Sequence, residues 1–175
     1  MVDSMKIVVA SDAHLYLRGF DQVMEQEADA DYYLDLGDNF CGMQPKASFE
    51  EWWESVKGNN DGPYYPLQQD LIIYDKRLRM IHGDRLLWQY RTPNELFGYM
   101  SDENIDILLF GHTHIRLAEV RLDDDHKLVK AIINPGSLGE SREYALRQQG
   151  LGSYCVLTLS SDGDFDYQFK TINNE

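Results

Sequence analysis

Residues 6–14 read Lys6-Ile7-Val8-Val9-Ala10-Ser11-Asp12-Ala13-His14. Four apolar residues in succession suit a short strand covered on both faces, because a strand with one wet face alternates apolar and polar side chains. Asp12 and His14 stand just past it, and a separation of two puts both on one side of an extended chain. The pattern then repeats along the chain. Tyr32–Leu36 reads as a second strand, followed by Gly37 and Asp38. Ser55-Val56-Lys57 reads as a brief third, followed by Gly58, Asn59, Asn60 and Asp61. Leu78–His82 is a strand with Gly83 and Asp84 after it, and Ile107–Phe110 is another, followed by Gly111, His112, Thr113 and His114. Loops beyond the strand ends of an α/β sheet converge on one edge. The expectation is therefore that these polar residues meet.

The remaining elements fit the same architecture. Arg18–Glu27 carries Phe20, Val23 and Met24 at helical spacing. Thr92-Pro93-Asn94-Glu95 is a helix start with a capping box, and the helix should run to about Glu103. Leu71–Tyr74 pairs with Leu78–His82 around a tight connection. Gly42–Ser48, Gly62–Leu67 and Leu86–Arg91 read as loops. Phe49–Trp53 reads as a short amphipathic helix packed into the core; the alternative is that Phe49, Trp52 and Trp53 line a substrate pocket. Leu117–Leu122 and Leu128–Ile133 form a hairpin across the acidic turn that holds His126. Tyr154–Leu159 and Phe165–Ile172 form another. Strands and helices alternate over the first two-thirds, and the last third is strand-rich, so the fold class is α/β.

Composition sets the outer limits. At 175 residues, 43% of them hydrophobic, the chain suits one domain over 1–175 with a real core. Sixteen basic against thirty acidic side chains leave a net charge of −14, which disfavours general nucleic-acid binding. No apolar run approaches the roughly 20 residues of a membrane span, and the start of the chain is too short and polar for a signal peptide. Cys41 and Cys155 are far apart and in no metal-ligand spacing, so a reducing cytoplasm is the expected setting. The late hairpins leave strand edges that a homo-oligomer would cover.

The strand-end residues carry the chemistry. Asp12, His14, Asp38, Asn59, His82, His112 and His114 are oxygen and nitrogen donors without a thiol, a set that suits a hard-to-borderline divalent ion. Seven donors fit two ions sharing a carboxylate better than one ion needing four to six. Two adjacent ions suit phosphoester hydrolysis. Each motif alone has an ordinary structural explanation, as a turn or a sheet-edge histidine; their order at five successive strand ends does not.

Asp12-x-His14, Gly37-Asp38, Gly58-Asn59-x-Asp61, His82-Gly83-Asp84 and Gly111-His112-Thr113-His114 resemble the motif series of the calcineurin-like metallophosphoesterases. Asn134-Pro135-Gly136-Ser137 is similar to a late loop of that family's small bacterial phosphodiesterase branch. The resemblance implies a four-layer αββα sandwich, two packed mixed β-sheets flanked by helices. It implies that Asp12, His14 and His114 hold one ion, that Asn59, His82 and His112 hold a second, and that Asp38 bridges them. It also implies a hydroxide between the metals as nucleophile, manganese as the working ion with iron, zinc or nickel as substitutes, and a small phosphoester as substrate.

One position departs from the family. Many relatives carry His, and close ones often Cys, where this chain has Asn60; asparagine donates a hydrogen bond but delivers no proton at neutral pH. Asn60 is therefore expected to orient substrate at most, beside Asn59. Arg85, Arg91 and Arg142 are candidate phosphate contacts, and Tyr64 and Tyr65 candidate contacts to a base or sugar. The competing readings are a protein-binding scaffold, as in the eukaryotic retromer subunit with its impaired metal site, and a slow ligand sensor. The completeness of the donor set favours the enzyme.

Overall fold

The computed structural model describes residues 3–174. Among them, ten strands form two five-stranded sheets. The first has the order β10 (Phe165–Asn173), β9 (Leu151–Ser160), β1 (Ser4–Ala10), β2 (Tyr32–Asp35), β3 (Trp53–Ser55). The second has the order β4 (Gln68–Ile73), β5 (Lys76–Ile81), β6 (Ile107–Phe110), β8 (Leu128–Pro135), β7 (Arg116–Leu122). β1, β2 and β3 run parallel, as do β5, β6 and β8, while β9, β10, β4 and β7 are antiparallel to their neighbours. Both sheets are thus mixed.

Strand periodicity explains the layers. Ile7, Val9, Leu34, Leu36, Ile107 and Leu109 point between the sheets and join Leu78, Met80, Ile133 and Leu157 in the central core. The intervening Val8, Ala10 and Tyr33 face outward and are covered by Phe20 and Val23 of α1 (Arg18–Gln26). Leu108, Phe110 and Ile132 on the other sheet are covered by Leu96, Phe97 and Met100 of α4 (Pro93–Asp102). Each inner strand is buried on both faces, which is why its sequence is a continuous apolar run. The four-layer αββα sandwich is the one expected.

Several boundaries differ. The helix expected over Phe49–Trp53 is the single turn α2 (Ala47–Glu50), and Trp53 instead opens β3, paired with Tyr33 and packed edge-on against Phe20. The third strand therefore lies two residues earlier than expected. An aromatic run at this spacing serves a helix or an outward-facing strand equally, and the pairing with β2 decides it. The loop expected over Leu86–Arg91 begins with one helical turn, α3 (Leu86–Gln89), and α5 (Tyr144–Gln148) carried no cap or periodic signal. Asn134 and Pro135 belong to the end of β8 rather than to a loop. β10 and β7 do lie at sheet edges.

The start of α4 is as the sequence indicates. The Thr92 hydroxyl accepts the Glu95 N–H at 3.3 Å, and the Glu95 carboxylate accepts the Thr92 N–H at 2.9 Å. Replacing this cap costs about 1 kcal/mol. Thr92→Ala should therefore lower Tm by about 2–4 °C in a chain of this size, read by calorimetry.

Candidate metal centre

The expected convergence is present, and the backbone shows how it is held. The Asp12 N–H donates to Gly37 O at 2.9 Å, His14 N–H to Asp38 O at 3.0 Å, and Gly111 N–H to His82 O at 2.9 Å. The His112 N–H crosses from the second sheet to Asp12 Oδ2 at 2.9 Å. Gly58 and Gly111 are required by this closeness: a Cβ on Gly58 would collide with Asp38 Oδ1 and its backbone N, and one on Gly111 with Ser11 Oγ. Asp12, His14, Asp38, His112 and His114 all adopt left-handed backbone, with φ of 58°, 45°, 62°, 66° and 58°. That conformation is uncommon outside glycine and clusters at functional sites.

Two groups of ligand atoms result, Asp12 with His14 and His114, and Asp12 with Asp38 and His82, each lying within 4.8 Å. Asp12 is common to both. In the first group the Nε2 atoms of His14 and His114 face each other at 3.0 Å, and lie 3.8 and 3.2 Å from Asp12 Oδ1. In the second, His82 Nε2 is 3.4 Å from Asp38 Oδ2 and 3.1 Å from Asn59 Oδ1, with the His112 ring edge-on to it at 5.2 Å between centroids. His82 Nδ1–H donates to Leu36 O at 2.7 Å, and His114 Nδ1–H to Glu140 O at 2.7 Å. These carbonyls fix both rings so that Nε2 turns inward, the arrangement usual for histidine ligands.

The electrostatics follow from this packing. Burial pushes the Asp38 carboxyl up, but hydrogen bonding and charge from His82, together with Asn60, outweigh it and hold the group at about 2. Burial pulls His82 down, and Asp38 and Asp12 overcome it, pushing the imidazole up to about 9. Burial and the nearby His82 charge lower His112.

A divalent cation fits these residues. Asp12 is fully buried, and its Oδ1 has no hydrogen-bond partner among the described residues, since neither nearby imidazole is aligned to donate to it. A buried carboxyl oxygen without a hydrogen bond is costly, and the Nε2 atoms of His14 and His114 meet at 3.0 Å beside it. A cation among Asp12, His14 and His114 satisfies all three.

Asn60 is tied to Asp38. Its backbone N–H donates to Asp38 Oδ1 and its side-chain amide to Asp38 Oδ2, both at 2.7 Å. The amide thus grips the carboxylate. Arg85, Arg91 and Arg142 make no side-chain hydrogen bond into the site among the described residues, although the Arg142 charge is felt by His114. His126 lies in the exposed β7–β8 turn, and Cys41 is exposed.

Residues outside the donor set hold the loops in place. Asp61 accepts the N–H groups of Asp38, Asn39, Phe40 and Gly58 at 2.6–3.1 Å, tying the loop after β3 to the loop after β2. Asn39 accepts the Ala13 N–H at 3.0 Å and donates to both oxygens of buried Asp35 at 2.7 Å. The Ser137 hydroxyl donates to Asp12 O at 2.8 Å. Asp61 stood inside a quoted motif; Asn39 and Asp35 gave no signal, because their partners are set by the fold.

The comparisons agree with this geometry. The calcineurin-like phosphoesterase superfamily domain matches residues 5–162. A protein of Methanocaldococcus jannaschii named probable metallophosphoesterase is 31% identical over 140 residues, 77% of this chain and 68% of that protein. The chain belongs to the calcineurin-like phosphoesterase superfamily. Solved structures share the superfamily fold at lower identity. A predicted phosphoesterase from Streptococcus pneumoniae TIGR4 has a TM-score of 0.71 at 20% identity, covering 98% of this chain and all of that one. An archaeal phosphodiesterase has a TM-score of 0.66 at 20% identity, covering 96% and 100%. Vps29 from Chaetomium thermophilum has a TM-score of 0.65 at 15% identity, covering 96% and 95%. Like other members of the superfamily, this phosphoesterase gathers Asp and His groups able to hold divalent metal ions, and no helix among the described residues is long and apolar enough to cross a membrane.

Beneath the phosphoesterase site, complete burial pushes the Asp35 carboxyl up to about 7, against the hydrogen bonds from Asn39 and Gly37. Its folded pKa is above its unfolded value, so between those values the folded chain holds the extra proton and rising pH favours unfolding. Wild-type protein should lose stability from about pH 4.5 to about pH 6.5, and Asp35→Asn should lose less, by denaturant titration at both values. An equal slope in the two proteins would show that Asp35 is ionised in the fold.

Proposed function

We propose that this chain is a two-metal-ion phosphodiesterase that hydrolyses a small phosphoester, with manganese as the working ion. The observation that carries the reading is the buried Asp12 Oδ1, without a hydrogen bond, in front of the Nε2 atoms of His14 and His114. Asp12, His14 and His114 would hold one ion; Asn59, His82 and His112, with Asp38, would hold the other. Asp38 would bridge them, as the family resemblance implies, and Asp12 is the residue common to both ligand groups. The carboxylate and amide oxygens suit manganese, and the imidazoles suit iron, zinc or nickel as substitutes. When bound, such ions supply Lewis-acid activation of water and of the phosphoryl oxygens.

The chain's own residues define the rest. The Leu36 and Glu140 carbonyls keep His82 and His114 aimed inward. Asn60 is a positioning residue: its backbone N–H and one amide N–H are spent on Asp38, and it has no proton to give a leaving group. The diester preference is supported by charge. Among the described residues no guanidinium hydrogen-bonds into the site, and the chain carries −14, so a diester with one negative charge is tolerated better than a monoester with nearly two. The fold shared with an archaeal phosphodiesterase supports the same preference.

Metal-stripped protein should be inactive toward bis-p-nitrophenyl phosphate and regain activity with manganese. Asp38→Asn should reduce that activity more than about 100-fold, beyond what outer-sphere changes produce. Turnover that survives metal removal overturns the reading. Two bound ions without turnover would indicate a slow ligand sensor, and neither metal nor turnover a protein-binding scaffold.

Without a proton donor at position 60, the rate should fall steeply as the leaving-group pKa rises. General-acid help is worth about 10²–10⁴-fold. A series of aryl methyl phosphodiesters measures the slope, and a flat series would reveal another acid in the site.

A further inference from the structure

Beside the metal centre the structure holds a cleft that the phosphoester chemistry does not use. It has a volume of about 350 Å³ between α1 and the α2–β3 segment, and its walls include the rings of Phe20, Phe40, Phe49, Trp52 and Trp53. Three of these rings are explained by packing: Phe20 meets Phe49 and Trp53 edge-on at 4.8 and 4.7 Å, and the Trp53 indole N–H donates to Met24 Sδ. Trp52 is not. It lies at the cleft with 55% of its surface exposed, one residue before the buried Trp53. A tryptophan left this open does nothing for the core, and its flat face is available to a flat partner.

The cleft is joined to the site through the chain, although none of the site's metal-type donors lines it. Phe40 follows Asp38 by two residues and Leu17 follows His14 by three, and both line the cleft. By chain length alone their Cα atoms lie within about 7 Å and about 11 Å of those donors. The two segments are laced together, His14 N–H to Asp38 O at 3.0 Å and Leu15 N–H to Asn39 O at 2.8 Å, so one ribbon bears metal-type donors at one end and the cleft at the other.

From this we infer that the cleft is a subsite for the nucleobase of a nucleotide phosphodiester whose phosphate sits at the metal centre. The inference rests on the phosphodiesterase reading and adds the substrate class. Aromatic walls alone would equally suit a lipid chain. The cleft also presents the Asp21 carboxylate, the Lys46 ammonium and the Ser48 hydroxyl, none of which enters a side-chain hydrogen bond or ion pair among the described residues. A hydrocarbon would leave those three unanswered, whereas a base offers a flat π-face to the rings and donors and acceptors along its edge.

The test separates this inference from the reading beneath it. Adenosine 5′-monophosphate and ribose 5-phosphate share the phosphate and sugar and differ only in the base. Both are titrated calorimetrically into the manganese-loaded protein. Stacking is worth about 1–3 kcal/mol per base, so the nucleotide should bind at least about fivefold more tightly. Trp52→Ala should abolish most of that ratio. Because Trp52 is exposed, the variant should fold; Lys46→Ala should reduce the same ratio by an independent route. Equal affinities in the wild type, or a ratio unchanged in both variants, would overturn the subsite. A base-dependent affinity in a protein that hydrolyses no phosphodiester would leave the subsite standing and remove the catalytic reading alone.

Discussion

Everything at the site depends on how the Asp12 carboxyl group is shared. One oxygen closes the sandwich: Oδ2 accepts the Ser11 hydroxyl at 2.6 Å and, from the opposite sheet, the His112 N–H at 2.9 Å. Hydrogen bonds to a carboxylate are worth more than neutral ones, about 1.5–3 kcal/mol. The clasp therefore fixes the loop after β6 against the loop after β1. The other oxygen, Oδ1, is left facing two imidazoles without a partner. Had both oxygens been satisfied internally, the residue would simply be a sheet-to-sheet tether. One tethered and one bare oxygen on the same side chain link the assembly of the fold to the appearance of a cation site.

The close approach has a conformational cost that is met locally. Five donor residues sit in left-handed backbone, and such geometry persists only where the surroundings over-determine it. Here they do. Asp61 gathers four N–H groups from two loops, and Asn39 reaches both Asp35 and the Ala13 N–H. These carboxylate and amide side chains replace the regular ladder bonds that the loops cannot make. The same dependence explains the glycines at 58 and 111, where any side chain would occupy the space of Asp38 or Ser11.

How much of this the sequence showed follows from the range of the interactions. The inner strands were legible because burial on both faces writes a continuous apolar run, and α4 because its capping box is complete within four residues. Asp12, His14, Asp38, His82, His112 and His114 were legible because each follows a strand end, and parallel strand ends meet. What the sequence hid is what depends on distant partners. Trp53 looked helical until its pairing with Tyr33 placed it in β3. Asn39 and Asp35 are ordinary residues until the fold stacks them. Asn60 looked like a substrate contact, and only the geometry shows its amide turned back onto Asp38.

The acidity of the chain and the chemistry of its site pull in opposite directions. A net charge of −14 repels any phosphoester at long range, yet the field of exposed charges fades over about 8 Å in physiological salt. Within that distance the ions held by the Asp and His groups would dominate. Encounter is then slow rather than electrostatically steered, and discrimination has to come after contact. A cation site alone binds every phosphate alike. Selectivity must reside in surface near it, and the segments that carry His14 and Asp38 run on to Leu17 and Phe40, which line the aromatic cleft at Trp52. On the proposed reading the metal ions would supply reactivity and the aromatic walls would decide which phosphoester remains long enough to use it.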